Sequence, residues 1–276
     1  MKCAWSALLR ILPISIRQQV DEKGKDTLQE LRLRLGKQPE LVCRTGTVYL
    51  PGVVQKADLQ FVINTASQYS PWTAATAKNG YITAAGGHRI GICGECVTNA
   101  GEMTGIRSAT SLCIRVARDF TGIAPRISPS QGNVLLLGSP GSGKTTLLRD
   151  LIRRISNGHE SVCVVDERYE LFPPEGDFDT GRHTDVLSGC GKVHGISVAL
   201  RTMGPNWIAV DEITAPEDCL ALSEAAWCGV RLIASVHASS RSDLLGRGVY
   251  KPLVQQGIFE TLLILNPDKS WRLERM

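Results

Sequence analysis

No stretch of the sequence approaches the roughly 20 consecutive apolar residues that a bilayer-spanning helix needs. The N-terminal run Ala7-Leu8-Leu9-Arg10-Ile11-Leu12-Pro13-Ile14 is broken by Arg10 and Pro13 and has no small-residue cleavage site. It predicts neither a span nor a secretory signal, so the expected location is cytoplasmic, with peripheral attachment to the inner face of a membrane left open. A strong charge imbalance is also missing: 31 Lys and Arg stand against 27 Asp and Glu, a net charge of +4. With no dense Lys/Arg stripe and no aromatic platform, a nucleic-acid partner is not expected. No internal repeat or low-complexity tract occurs. Cys93 and Cys96 form a C-x-x-C pair, but no second pair or suitably spaced histidines accompany it, which argues against a zinc site. The nine cysteines are odd in number and scattered, as expected for buried thiols in a reducing compartment.

What is present centres on Gly138-Ser139-Pro140-Gly141-Ser142-Gly143-Lys144-Thr145, which fits G-x-x-x-x-G-K-[ST] at every fixed position. Val134-Leu135-Leu136-Leu137 precedes it as a buried strand. Leu147, Leu148, Leu151, Ile152 and Ile155 follow at helical spacing, up to Asn157-Gly158. In this order the glycines let backbone N–H groups cradle phosphate oxygens, and the helix N-terminus adds favourable partial charge. Lys144 would reach the β/γ-phosphates, the Thr145 hydroxyl would ligate Mg²⁺, and Thr146 would support the α-phosphate. ATP and Mg²⁺ are therefore the expected ligands. Few cations besides Lys144 are expected near the loop. Arg149, Arg153 and Arg154 on the following helix read as a solvated basic face.

The length suggests roughly two domains. Residues 1–125 are expected to form a smaller N-terminal α+β domain and residues 126–276 the P-loop domain. The boundary is placed in Thr121 to Gly132, where Gly122, Pro125, Pro129 and Gly132 give linker composition. In the first domain, Val20, Leu28, Leu31 and Leu35 predict a helix ending at Gly36. Strands are expected at 41–43 and 47–50, a helix capped by Asp58 running toward Tyr69, a turn at Gly86-Gly87, and a strand over 110–116.

In the second domain, apolar runs alternate with helical segments, which predicts a mostly parallel sheet with helices on its faces. Ser161–Val165 ends in Asp166-Glu167-Arg168, Trp207–Val210 ends in Asp211-Glu212, and Leu232–Val236 ends in His237. Ligands of open α/β sheets bind outside the carboxyl ends of strands, where all these groups fall. Asp211 would hold Mg²⁺, and Glu212 would orient or deprotonate the attacking water, as in a Walker B element. Asp166 or Glu167 would support the metal or polarise water, or pair with Arg168. His237 would sense the γ-phosphate. The helix beginning at Pro216 is expected to bury Leu220, Leu222, Ala225, Ala226 and Trp227.

Taken in order, these segments resemble the stage III sporulation protein AA family, within the secretion-ATPase superfamily of type II and type IV secretion and pilus motors. The resemblance rests on Gly80-Tyr81-Ile82-Thr83, Gly86-Gly87-His88-Arg89-Ile90-Gly91 and Ile114-Arg115-Val116-Ala117-Arg118. It continues through Gly143-Lys144-Thr145-Thr146, Val165-Asp166-Glu167-Arg168, Val210-Asp211-Glu212-Ile213 and His237-Ala238-Ser239-Ser240. It implies a RecA-like P-loop ATPase domain behind the N-terminal domain, and a hexameric homo-oligomer docked on a membrane channel complex of sporulation. It also implies an acidic box, in which Asp166 is slightly preferred over Glu167 as the catalytic carboxylate, and arginines delivered to a neighbouring nucleotide, with Arg107 and Arg115 as candidates. Secretion motors usually carry Gly-Glu in Walker B, where this chain has Asp211-Glu212. Competing readings are a nucleotide-dependent scaffold with negligible turnover, a RecA-like nucleic-acid motor, and a transporter-type ATPase. Leu187-Ser188-Gly189-Cys190 matches the signature of the last only in part.

Overall fold

In the computed structural model, which describes residues 1–68, 80–99, 101–127, 131–174 and 176–276, the chain divides into two units. One comprises residues 1–119 with 174–177, the other residues 120–173 with 178–276. The division falls after Asp119, ahead of the boundary expected at 125/126. The cause is local. The Gly122 and Ala124 amides donate to the Asp150 carboxylate at 3.0 and 2.8 Å, tying this part of the expected linker to the second unit. The stretch 128–130, with Pro129, lies outside the described residues.

The first unit holds helices α1 (Trp5–Arg10), α2 (Ile14–Gly24) and α3 (Lys56–Ala66). Its strands are β1 (Leu28–Arg34), β2 (Glu40–Cys43), β3 (Gly46–Tyr49), β4 (Tyr81–Ala84), β5 (His88–Asn99) and β6 (Glu102–Arg115). They form an antiparallel sheet in the order β3-β2-β1-β6-β5-β4. The helix expected to reach Gly36 stops at Gly24, and Leu28, Leu31 and Leu33 lie on β1. Register against β2 shifts between Leu28 and Glu30, so the extra residue turns Leu28 and Leu31 to the same buried side. A bulged strand thus imitates helical spacing. Asp58 sits at the third position of α3 instead of capping it, and its carboxylate accepts from the Gln55 amide at 2.8 Å. Tyr69 lies outside the described residues. Gly86 and Gly87 join β4 to β5 with φ +82° and +77°, the left-handed pair of a tight hairpin turn. A Cβ on Gly86 would come within 2.4 Å of the Ala4 Cβ.

The second unit carries β7 (Val134–Leu137), α4 (Lys144–Asn157), β8 (Val162–Asp166), β9 (Thr184–Ser188), α5 (Lys192–Val198) and β10 (Trp207–Val210). It continues with α6 (Pro216–Trp227), β11 (Arg231–Val236), α7 (Arg241–Gly246), α8 (Lys251–Gln255), β12 (Thr261–Leu265) and β13 (Trp271–Arg275). The sheet order is β13-β12-β7-β11-β10-β8-β9, and only the β12–β13 pairing is antiparallel. Strands covered on both faces read as unbroken apolar runs, because each successive residue meets a different core. Leu135, Leu137, Val165 and Val210 enter one cluster with Leu222 of α6. Val134, Leu136, Val164 and Ala209 enter the other with Leu148 and Leu151 of α4.

Two expectations about helix faces change. Arg149 and Arg153 are buried. Arg149 Nε donates to the Leu171 carbonyl at 2.6 Å, and its guanidinium covers the Phe178 ring at 4.3 Å. Arg153 pairs with Asp150 at 2.8 Å, with both side chains nearly inaccessible. On α6, Leu220 and Trp227 turn outward, while Cys219, Leu222 and Ala225 form the buried side. Leu220 and Trp227 lie about two helical turns apart, so they share the opposite stripe.

Asp150→Ala should destabilise the second unit by about 3–5 kcal/mol, because it removes the buried counter-charge of Arg153 and the acceptor of two linker amides. Urea denaturation checks this. A loss under about 1 kcal/mol would show that the pair is structurally idle.

Candidate functional site

Parallel registry brings the strand ends together. Leu137 of β7 stands opposite Val236 of β11, and Val210 of β10 stands opposite Ala234 and Val165. β11 therefore runs on past β10 and sets Ser235 beside the residues that follow Val210. Ser235 Oγ donates to Asp211 Oδ1 at 2.5 Å and accepts from the Glu212 amide at 2.9 Å. Glu212 has φ +53°, a left-handed conformation that costs a non-glycine residue about 1–2 kcal/mol. The Ser235 contact and the Ile213 amide, bonded to the Ser235 carbonyl at 2.8 Å, hold it there.

Gly138 to Gly143 curl between β7 and α4, with Gly141 and Gly143 at φ +73° and +102°. A Cβ on Gly138 would lie 2.4 Å from Ser142 Oγ, so the loop closes this tightly only around glycine. Ser139 and Pro140 form the outer part of the turn, with the Ser142 amide bonded to the Ser139 carbonyl at 3.1 Å. Lys144 opens α4 and folds back. Its ammonium donates to the Gly138 and Ser139 carbonyls at 2.8 and 3.2 Å and contacts His237 Nδ1 at 2.9 Å. An ammonium only donates, so Nδ1 accepts and the remaining imidazole hydrogen lies on Nε2. That nitrogen faces Glu212 Oε1 at 3.0 Å, while Glu212 Oε2 pairs with Arg168 at 3.3 Å. Lys144, His237, Glu212 and Arg168 thus form one connected array. Burial lowers the Lys144 pKa, opposed by the Asp211 and Glu212 carboxylates. Thr145 Oγ1 donates to Asp211 Oδ2 at 2.7 Å, and Thr146 follows, half-buried, on the same helical turn.

Asp166, the preferred acidic-box carboxylate, lines one small cleft with Glu167, Arg168, Asp211 and Glu212. Its oxygens accept the Glu170, Leu171 and Phe172 amides at 2.8, 3.0 and 2.9 Å, and the residue is 2% exposed. It anchors the turn after β8 through these three amides. Burial pushes its pKa up to about 6, against the pull of the Leu171 and Phe172 amides. Its neighbour Glu167 pairs with Lys192 at 2.5 Å and lines the same cleft. Arg115 and Arg107 belong to β6 of the first unit. Arg115 Nε lies 3.5 Å from Glu30, and Arg107 lies 3.4 Å from Glu95.

Sequence reasoning missed several groups. Ser235 was hidden in an apolar run, where a lone hydroxyl was the available signal. Lys192 had none. Nor had Lys269, which lies 128 residues from Gly141 in sequence, yet its ammonium donates to the Gly141 carbonyl at 2.5 Å. It is a cation at the loop besides Lys144, where few were expected.

The residues fit a nucleotide with Mg²⁺. Ser142 Oγ is buried in the loop without a hydrogen-bond partner, and a phosphate oxygen is a natural acceptor for it. The Thr145 hydroxyl and Asp211 carboxylate offer hard oxygen ligands in the small number that suits Mg²⁺, which keeps waters and substrate phosphates.

A match to the family described as "Sporulation stage III, protein AA" spans residues 5–272. The chain is 36% identical over 282 residues to stage III sporulation protein AA of Bacillus subtilis, covering 95% of this chain and 91% of that protein. This chain belongs to the stage III sporulation protein AA family. Among solved structures it is similar to the Legionella pneumophila ATPase DotB (TM-score 0.60, 16% identity, 96% of this chain and 80% of that one). It is also similar to the pilus retraction motor PilT with bound ADP (TM-score 0.61, 15% identity, 91% and 76%). These likenesses assign the fold, a RecA-like P-loop α/β architecture.

The buried carboxylate gives this family member a testable pH dependence. Asp166 is raised from 3.8 to about 6 in the folded chain, so the native state holds its proton at pH values where the unfolded chain has lost it. Its contribution to stability is therefore largest below about pH 4 and declines as pH rises through about 6. Asp166→Asn should flatten the decline between pH 4 and 6.5 in denaturation series. An identical pH slope in both proteins would refute the assignment.

Proposed function

We propose that the chain is the ATP-hydrolysing subunit of a ring-forming homo-oligomeric motor that energises a membrane-spanning, secretion-like channel during endospore formation. The observation that carries the reading is the Lys144–His237–Glu212 array beside a complete phosphate loop. The name of the Bacillus subtilis relative supports the sporulation role, and the DotB and PilT titles, an ATPase and a motor with ADP, support the activity. Among the described residues no helix is long and apolar enough to cross a membrane, which is compatible with docking on a channel from the cytoplasmic side.

In this reading the loop amides and Ser142 Oγ bind phosphate oxygens, and the Lys144 ammonium exchanges the Gly138 and Ser139 carbonyls for them. Thr145 and Asp211 would hold Mg²⁺, which would supply charge neutralisation for the phosphates. Glu212 orients the attacking water and takes its proton on a carboxylate oxygen. His237 links Glu212 to Lys144, so a γ-phosphate that draws Lys144 away changes the hydrogen bonding at Glu212. Asp166 keeps the β8 turn in place, with Glu167 and Lys192 flanking the cleft. Arg115, with Arg107 as the alternative, is delivered from a neighbouring subunit to the transferring phosphoryl group.

Lys144→Ala should abolish nucleotide binding or hydrolysis while the protein stays folded; a folded variant that binds and hydrolyses ATP normally would refute the site. Glu212→Gln should retain ATP binding and slow turnover by roughly 10²–10⁴-fold. Unchanged turnover would remove Glu212 from water activation. Glu212 is engaged by both His237 and Arg168, which favours one second reading, a scaffold that assembles on nucleotide with negligible turnover. ATPase activity measured together with mass separates the two: a motor gains specific activity as it assembles, and a scaffold stays inactive. Arg115→Ala mixed with Lys144→Ala should regain part of the activity, because some interfaces then pair an intact arginine with an intact loop. No recovery in verified co-assemblies would exclude action in trans.

A further inference from the structure

The antiparallel strand pair that closes the second unit ends in a turn at the phosphate loop. β12 and β13 pair from Thr261 with Arg275 to Leu265 with Trp271, leaving Asn266 to Ser270 as the connection. Hydrogen bonds fix this turn. The Asn266 amide donates to the Ser270 carbonyl at 2.9 Å, the Lys269 amide to the Asn266 carbonyl at 3.1 Å, and Ser270 Oγ to Asp268 at 2.6 Å. Arg272 donates to the Asn266 side chain at 2.9 Å, and Trp271 Nε1 donates to the Ile123 carbonyl at 3.0 Å. Lys269 therefore leaves a well-anchored support, with φ +71°. Its stem passes the loop, with Cδ 3.9 Å from where a Gly143 Cβ would stand, and its ammonium reaches the Gly141 carbonyl.

The charge balance of the loop gives this placement a purpose. Lys144 lies in the field of the Asp211 and Glu212 carboxylates, and Arg168 is paired with Glu212. A nucleoside di- or triphosphate brings several further negative charges. Lys269 has three ammonium donors, of which one is used, and among the described residues no carboxylate forms a salt bridge with it. It stands at Gly141 and Gly143, the stretch whose amides cradle the α- and β-phosphates in loops of this type.

We propose that Lys269 is a second phosphate-binding cation of this site, donating to an α- or β-phosphate oxygen of a bound nucleoside di- or triphosphate. The inference rests on the nucleotide reading of the site. It assigns the β12–β13 turn a part in binding that the phosphate-loop motif does not contain. Because the contact is to phosphates common to ATP and ADP, it strengthens both, unlike Glu212.

Binding of Mg·ADP and of a non-hydrolysable Mg·ATP analogue to the full chain, followed by calorimetry, tests this with Lys269→Gln, Lys269→Ala and Lys269→Arg. Gln keeps a donor for the Gly141 carbonyl but carries no charge. Lys269→Gln and Lys269→Ala should weaken both ligands about 10-fold, the size of one charge-assisted hydrogen bond. Lys269→Arg should restore most of the loss, and the gap between wild type and Lys269→Gln should narrow at high salt. Wild-type affinity in Lys269→Gln would overturn the proposal and reduce Lys269 to a tether of the loop. So would a loss that Lys269→Arg fails to restore. A wild-type chain that binds neither ligand would overturn the nucleotide reading itself, an outcome distinct from the other two.

Discussion

Hydrogen bonding between β7 and β11 sets Leu137 opposite Val236, and that register decides where Lys144 and His237 can meet. Each is carried beyond its strand end, one by the glycine loop and one directly. A slip of one residue would turn the side chains of β11 to the opposite face and withdraw His237 from Lys144. The same registry lets β11 overrun β10, so Ser235 can clamp Asp211 and hold Glu212 in its left-handed conformation. The apolar runs on both faces enforce the register, because any shift exchanges residues between two differently shaped cores.

On this frame the charges are arranged in opposed pairs. Glu212 lies between His237 and Arg168, Glu167 against Lys192, and Asp211 between two hydroxyls. The Lys144 ammonium is held by two carbonyls and the His237 imidazole rather than by a direct ion pair. Asp166 is the exception. Bound to three backbone amides and almost inaccessible, it serves the shape of the cleft.

The phosphate loop was legible from residues 138–145 because its function requires particular residues at consecutive positions. The parallel sheet was legible for a related reason: strands covered on both faces leave unbroken apolar runs that end in polar groups. In the first unit the sequence misled at Leu28 and Leu31, since a bulge and a helical turn bring the same spacing to one face. Arg149 and Arg153 misled because three neighbouring cationic residues look alike whether solvated or buried. Only the carbonyls and carboxylates supplied by distant segments distinguish the cases.

Local chemistry written in consecutive residues therefore settled the fold class and marked the loop, the strand-end carboxylates and the histidine as candidates. What tertiary structure decided was which of those groups face one another. Asp166 and Glu167 are adjacent in sequence, yet one faces backbone amides and the other Lys192, because successive residues at the end of a strand point in different directions. Lys269 reaches Gly141 only through the pairing of β12 with β7 and of β13 with β12. No local pattern records that proximity, since it arises from strand order across the sheet.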